Sequence, residues 1–227
     1  MGYWKRITVL VIGLLALSVG PALAVPVIDG VITGTEWDAF VMQGFDLPEA
    51  LIPDSYDLTE MRVITESGGA AADDGLYILL KTVAAPSLVD TGVGPPPALV
   101  AVLFDYNGDL DFIDAVDRFT THTLAGGFNV FDGTGALVFA GGAGNSALGP
   151  SVIEYFIPVA GDPGIIPLPG TAAAFAIYDN GGDAPDDRLP DVGFITPVPE
   201  PGSALLFGFG MAGAAGLRRI RRKLARS

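Results

Sequence analysis

The sequence predicts an all-β fold, a two-sheet antiparallel β-sandwich of jelly-roll or Ig-like outline. Its apolar runs are about four to eight residues long, rich in β-branched and aromatic side chains, and separated by clusters of Gly, Pro, Asn and Asp. No long apolar pattern at helical spacing follows a capping residue between residues 25 and 197. That stretch has the length of one domain, long enough to bury a sizeable core. The chain has no cysteine, so the core is built without disulfides, and thiolate metal sites and cysteine nucleophiles are excluded.

The elements follow in order. Residues 1–24 read as a secretory signal peptide, which implies Sec-type export. Lys5 and Arg6 form a positive start, Ile7 to Val19 an apolar stretch too short for a permanent membrane helix, and Ala22-Leu23-Ala24 a cleavage site that leaves Val25 first. The domain is expected over 25–190. Asp29-Gly30 predicts a tight turn, and Trp37 is expected to plug one end of the sandwich. Strands are predicted at Met61–Thr65, Leu76–Val83, Ala98–Phe104, Phe119–Leu124, Phe128–Phe131, Ala136–Ala140, Val152–Pro158 and Ala172–Tyr178. Ala98–Phe104 is apolar on both faces, as a central strand is. Phe119–Leu124, reading F-T-T-H-T-L, alternates like a half-exposed one. Pro/Gly-rich loops are expected at 84–97 and 160–170, and a linker at 191–198.

Charge is lopsided. Of the twelve basic residues only Arg62, Lys81, Arg118 and Arg188 lie between the signal peptide and the tail. They face twenty-five of the twenty-six acids, a net charge of −21 for the exported segment. Such a surface repels nucleic acid and anionic lipid, so no nucleic-acid partner is expected, and it favours divalent cations or simple solubility.

Two acidic stretches carry the densest chemistry. In F-D-Y-N-G-D-L-D-F-I-D-A-V-D, Asp105, Asn107, Asp109 and Asp111 alternate along the chain, with Asp114 and Asp117 beyond. Alternating oxygen ligands on a turning loop suit Ca²⁺, which gathers six to eight oxygens. The pattern is not an EF-hand, because Leu110 and Val116 stand where a glycine and a bidentate glutamate belong. The alternative is a polar turn at Asn107-Gly108 with solvated carboxylates. Asp179, Asn180 and Asp183 form a second, weaker metal candidate, next to Asp186, Asp187 and Arg188.

Signs of catalysis are poor. The one histidine, His122, sits between threonines on a predicted strand, where a hydrogen-bonded structural role is expected. No nucleophile elbow, phosphate loop or zinc-protease motif occurs in the exported segment, and carboxylate abundance alone is no sign of a glycosidase pair.

The tail is an address. Pro199, Glu200 and Pro201 precede an uncharged run, 202–217, which a basic cluster of Arg218, Arg219, Arg221, Arg222 and Lys223 follows. The run is somewhat short of the roughly 17–25 residues of a spanning helix, and the basic end would stay on the cytoplasmic side. This order over 199–227 resembles the PEP-CTERM sorting signal. The resemblance implies an exosortase as partner, transient residence in the inner membrane through a C-terminal hydrophobic helix, and final delivery to the surface or matrix of a Gram-negative bacterium. A second resemblance covers the domain. I-D-G-V-I-T-G-T-E-W-D-A-F (Ile28–Phe40), A-D-D-G-L-Y-I-L-L-K-T (Ala72–Thr82), V-L-F-D-Y-N-G-D (Val102–Asp109) and I-E-Y-F-I-P-V (Ile153–Val159) occur in an order that resembles family 9 carbohydrate-binding modules and their DOMON-like relatives. With the acidic loop and the poor catalytic signals, these resemblances point to an exported, non-enzymatic surface or matrix protein, stabilised by Ca²⁺ through that loop and, as the sorting-signal resemblance implies, associated with exopolysaccharide. The alternative is a carbohydrate-binding module with a defined glycan; a hydrolase or redox accessory protein ranks third.

Overall fold

The computed structural model describes residues 25–50, 52–67, 73–86, 99–122, 128–165, 168, 171–179 and 187–198. The expected signal peptide, the 202–217 run and the basic tail lie outside the described residues. Among the described residues no helix is long and apolar enough to cross a membrane.

Among the described residues, eleven strands form two antiparallel sheets. They are β1 (Met42–Phe45), β2 (Leu58–Glu66), β3 (Gly75–Thr82), β4 (Leu99–Asp105), β5 (Arg118–His122), β6 (Phe128–Asp132), β7 (Leu137–Gly141), β8 (Ser146–Leu148), β9 (Val152–Pro158), β10 (Ala173–Asp179) and β11 (Asp187–Leu189). The order is β1-β2-β3-β9-β8 in one sheet and β11-β10-β4-β5-β6-β7 in the other. All eight predicted strands are present. β4 lies third in its sheet, which explains why both its faces are apolar. β5 alternates in burial as F-T-T-H implied.

The core follows from period-two alternation. Met61 and Val63 of β2, Leu76, Ile78 and Leu80 of β3 and Ile153, Tyr155 and Ile157 of β9 point inward. They meet Val100, Val102 and Phe104 of β4, Phe128 and Val130 of β6, and Ala174, Ala176 and Tyr178 of β10. β3 is buried on its other face too. Its Tyr77 and Leu79 join Ile64, Val152 and Trp37 in a second cluster, flanked by Ile28, Ile32 and Phe40. Trp37 is therefore core, at 1% exposure, but it does not plug the sandwich end. The segment before β1 lays it over the outer face of the five-stranded sheet.

The segment is held there by two of the sequence motifs meeting. Glu154, the glutamate of I-E-Y-F-I-P, is fully buried. Its Oε2 accepts the backbone N–H groups of Asp29 at 3.0 Å and Gly30 at 2.8 Å. Gly30 has φ of 80°, and a Cβ there would lie 2.8 Å from the carbonyl oxygen of Leu148. The I-D-G turn thus needs its glycine for both conformation and close approach.

The expected linker is a correction. Ile195 is buried, and its N–H and C=O pair with Ala174 at 2.8 Å each. Pro197 bridges Met42, and the Val198 N–H donates to the Val41 carbonyl at 2.6 Å. The packed domain reaches residue 198, because Phe194 and Ile195 carry apolar surface that a solvated linker would leave wet.

Candidate metal centre

The loop between β4 and β5 is built by its own carboxylates. Asp105, fully buried at the end of β4, accepts the N–H of Gly108 at 2.6 Å on Oδ1 and that of Leu110 at 2.7 Å on Oδ2. That pair holds Leu110 at φ of 67°, a left-handed conformation uncommon outside glycine. Asn107, Asp109 and Asp111 each accept the N–H two residues on, at 2.9 Å, a run of Asx-turns. Asp117, also buried, accepts from Tyr106 at 2.9 Å and Asp114 at 3.0 Å. Desolvation raises its carboxyl, those two N–H groups oppose the rise, and the charges of Asp105 and Asp114 add to it.

Of the predicted ligands, Asn107, Asp109 and Asp114 are brought together. The Asn107 amide donates to Asp109 Oδ2 at 2.9 Å and Asp114 Oδ2 at 2.8 Å, standing where a cation would bridge them. Asp105 and Asp111 are engaged separately with backbone N–H groups. Arg118 closes the loop without neutralising these carboxylates: it pairs with Asp162 at 2.6 Å and donates to the carbonyls of Ala115, Val116 and Asp117. Of the second candidate, Asn180, Asp183 and the side chain of Asp179 lie outside the described residues.

Among the described residues, three carboxylates converge elsewhere. Oxygens of Glu49, Asp187 and Asp191 lie within 4.8 Å of one another. Burial raises the Asp187 carboxyl to about 6; the N–H groups of Leu58 and Arg188 oppose this, and the charges of Asp57 and Glu49 add to it. Sequence spacing could not reveal this group, because Asp187 reaches β2 only through the folded edge of the sandwich.

His122 is a core residue, 1% exposed, whose ring centre lies 5.5 Å from that of Tyr155 across the sheets. The expected hydrogen bond is missing at Nδ1, which is buried without a partner, as is the Tyr155 hydroxyl. Burial pushes the imidazole down to about 4. The unfolded chain therefore takes up a proton near pH 6.5 that the folded chain refuses until about pH 4. The stability this lends is full above the upper value and drains away as pH falls through the window, by about 3 kcal/mol in all. Melting of the purified chain from pH 7 to pH 4 should show that fall, and His122→Phe should flatten it. An unchanged slope in the variant would assign the acid sensitivity to other groups.

The outer face of the six-stranded sheet carries a row that sequence reading did not assemble. Phe175, Leu103, Phe119 and Phe131 are register partners on β10, β4, β5 and β6. Phe119 and Phe131 stack at 5.0 Å, and Arg188 lies over Phe175 at 4.5 Å. The signal was the phase of F-T-T-H and F-N-V-F, which puts Phe119 and Phe131 on the side opposite the core.

Residues 197–222 match the PEP-CTERM protein-sorting motif. No curated protein and no solved structure matches the chain. The match begins at Pro197, the residue that bridges Met42 of β1. The chain thus carries a PEP-CTERM sorting tail, the mark of an exported protein of Gram-negative bacteria that an exosortase processes at the membrane.

Proposed function

We propose that the protein is a non-enzymatic surface or extracellular-matrix component, strengthened by Ca²⁺ and associated with exopolysaccharide. The match of the sorting motif carries this reading. The net charge of −21 on the exported segment supports it by favouring cations and solubility outside the cell. The one imidazole, a usual general base, is enclosed in the core, which also favours a structural role. In the loop between β4 and β5, replacing the Asn107 amide by Ca²⁺ would let Asp109 and Asp114 turn toward an ion, with Asp105 and Asp111 beside them.

Intact mass of the native protein tests the sorting. The processed form should begin at Val25 and lack Arg218, Arg219, Arg221 and Arg222. In a host without exosortase the chain should remain membrane-held through 202–217. A full-length tail on protein recovered from a strain with its own exosortase would sink the reading.

The aromatic row favours a second reading, a carbohydrate-binding module that stacks a glycan on Phe119 and Phe131. A micromolar glycan, about −8 kcal/mol, lost in the Phe119→Ala, Phe131→Ala variant, would put that reading first.

A further inference from the structure

The loop after β1 and strand β11 come from different sheets and meet at one edge of the sandwich, where three carboxylates gather. Oxygens of Glu49, Asp187 and Asp191 lie within 4.8 Å of one another. Asp57, immediately before β2, lies beside the group. It is 1% exposed, its Oδ2 accepts the Glu49 N–H at 2.7 Å, and its Oδ1 is buried with no hydrogen-bond partner. An unpartnered buried carboxylate oxygen is costly, and this one lies against the cluster: Asp57 holds the Glu49 backbone, and Asp187 holds the N–H of the next residue, Leu58.

Among the described residues no lysine or arginine pairs with Glu49, Asp57, Asp187 or Asp191. Arg188, the neighbour in sequence, points the other way: it donates to the carbonyls of Pro190, Asp191 and Gly193 and lies over Phe175. The carboxylates keep lone pairs to give. Asp187 accepts the N–H of Leu58 on Oδ2 and that of Arg188 on Oδ1, leaving further acceptor capacity on each oxygen.

We propose that Glu49, Asp187 and Asp191, backed by the unpartnered oxygen of Asp57, hold a divalent cation, Ca²⁺ by its chemistry, that ties the loop after β1 to β11 and so fastens the two sheets at this edge. Oxygens within 4.8 Å of one another can share an ion whose bonds are about 2.3–2.6 Å long. The cleft beside them, lined by Leu47, Pro48, Glu49, Ile52 and Asp191, is open to solvent, so water can complete the six to eight ligands that Ca²⁺ takes. Mg²⁺ fits less well, because it demands a tighter octahedron. This site is separate from the loop between β4 and β5 and does not depend on it.

The test uses the full-length chain in detergent, stripped with EDTA and titrated with CaCl₂ by calorimetry, with melting followed in parallel. The Glu49→Gln, Asp191→Asn variant changes only the outer pair. It should bind one equivalent fewer than the parent and lose that part of the calcium-induced rise in melting temperature. In EDTA it should melt no lower than the parent, because repulsion has been removed. Asp57→Asn should weaken binding at least tenfold; if it fails to fold, the outer pair decides alone. An outer-pair variant that binds as many equivalents with unchanged affinity overturns the inference. So does a calcium response abolished only by Asp109→Asn, Asp111→Asn, which would assign the ion to the other loop.

Discussion

Trp37→Ala should lower the stability of the domain by about 3–5 kcal/mol, the usual range for a fully buried large aromatic. At roughly 2–4 °C per kcal/mol for a domain of this size, the melting temperature should fall by about 10 °C or more. The physical reason lies outside the sandwich interior. Ile64, Tyr77, Leu79 and Val152 form an apolar patch on the outer face of the five-stranded sheet, and Trp37 is the largest side chain covering it. Tyr77 also stacks on Phe156 at 4.5 Å, so the patch continues along β9. Removing the indole opens a cavity and lets water reach strands that are otherwise buried on both faces. Trp37→Phe should cost much less. It keeps most of the cover and deletes an indole N–H that is buried without a partner, which by itself costs about 1–3 kcal/mol. Melting of the three forms decides it. Near-equal loss in the Phe and Ala variants would mean that the indole shape, rather than covered area, holds the segment.

The eight longer strands were legible because each is an apolar run, rich in β-branched and aromatic residues, set between clusters of Gly, Pro, Asn and Asp. β1, β8 and β11 were not, for the same reason reversed. M-Q-G-F, S-A-L and D-R-L form no such run, and pairing with β2, β9 and β10 defines them. Residues 191–198 read as linker because proline and valine near a sorting motif look like a spacer; only the bridges of Ile195 to Ala174 and of Pro197 to Met42 make their end structural. Trp37 was legible as core, yet which face it covers depends on where residues 28–40 run. Chemistry was legible where it is local. Asp105, Asn107, Asp109 and Asp111 alternate within one loop, and the alternation appears in the structure as successive Asx-turns. Glu49, in the loop after β1, and Asp187, in β11, are instead far apart in sequence, and Asp187 reaches that loop's far end through Leu58, 129 positions away. No spacing rule spans that.

Glu154→Ala should cost about 3 kcal/mol or more, since it removes two charge-assisted hydrogen bonds and leaves two backbone N–H groups without their acceptor. The loss should be local first. Residues 25–40 depend on this one carboxylate, where Oε2 takes both the Asp29 and Gly30 N–H groups. Hydrogen exchange should show those amides unprotected before β3 or β9 opens. Glu154→Gln separates charge from shape. An amide oxygen still accepts the two N–H groups, so the turn should persist. Desolvation raises the Glu154 carboxyl above its ordinary 4.5; the two N–H groups oppose the rise, and the charges of Asp29 and Glu36 add to it. A carboxyl raised on folding lends stability that is complete below pH about 4.5 and fades as pH climbs through the raised value. Gln has no such dependence, so the variant should gain on the parent as pH rises from about 4.5, then run parallel to it. Gly149→Ala attacks the same joint from the facing side, because a Cβ there would lie 1.8 Å from the Gly30 carbonyl oxygen. It should release the same amides as Glu154→Ala while leaving the carboxylate in place. If Glu154→Ala opens residues 25–40 and Gly149→Ala does not, the carboxylate alone fastens the segment and the close approach is incidental.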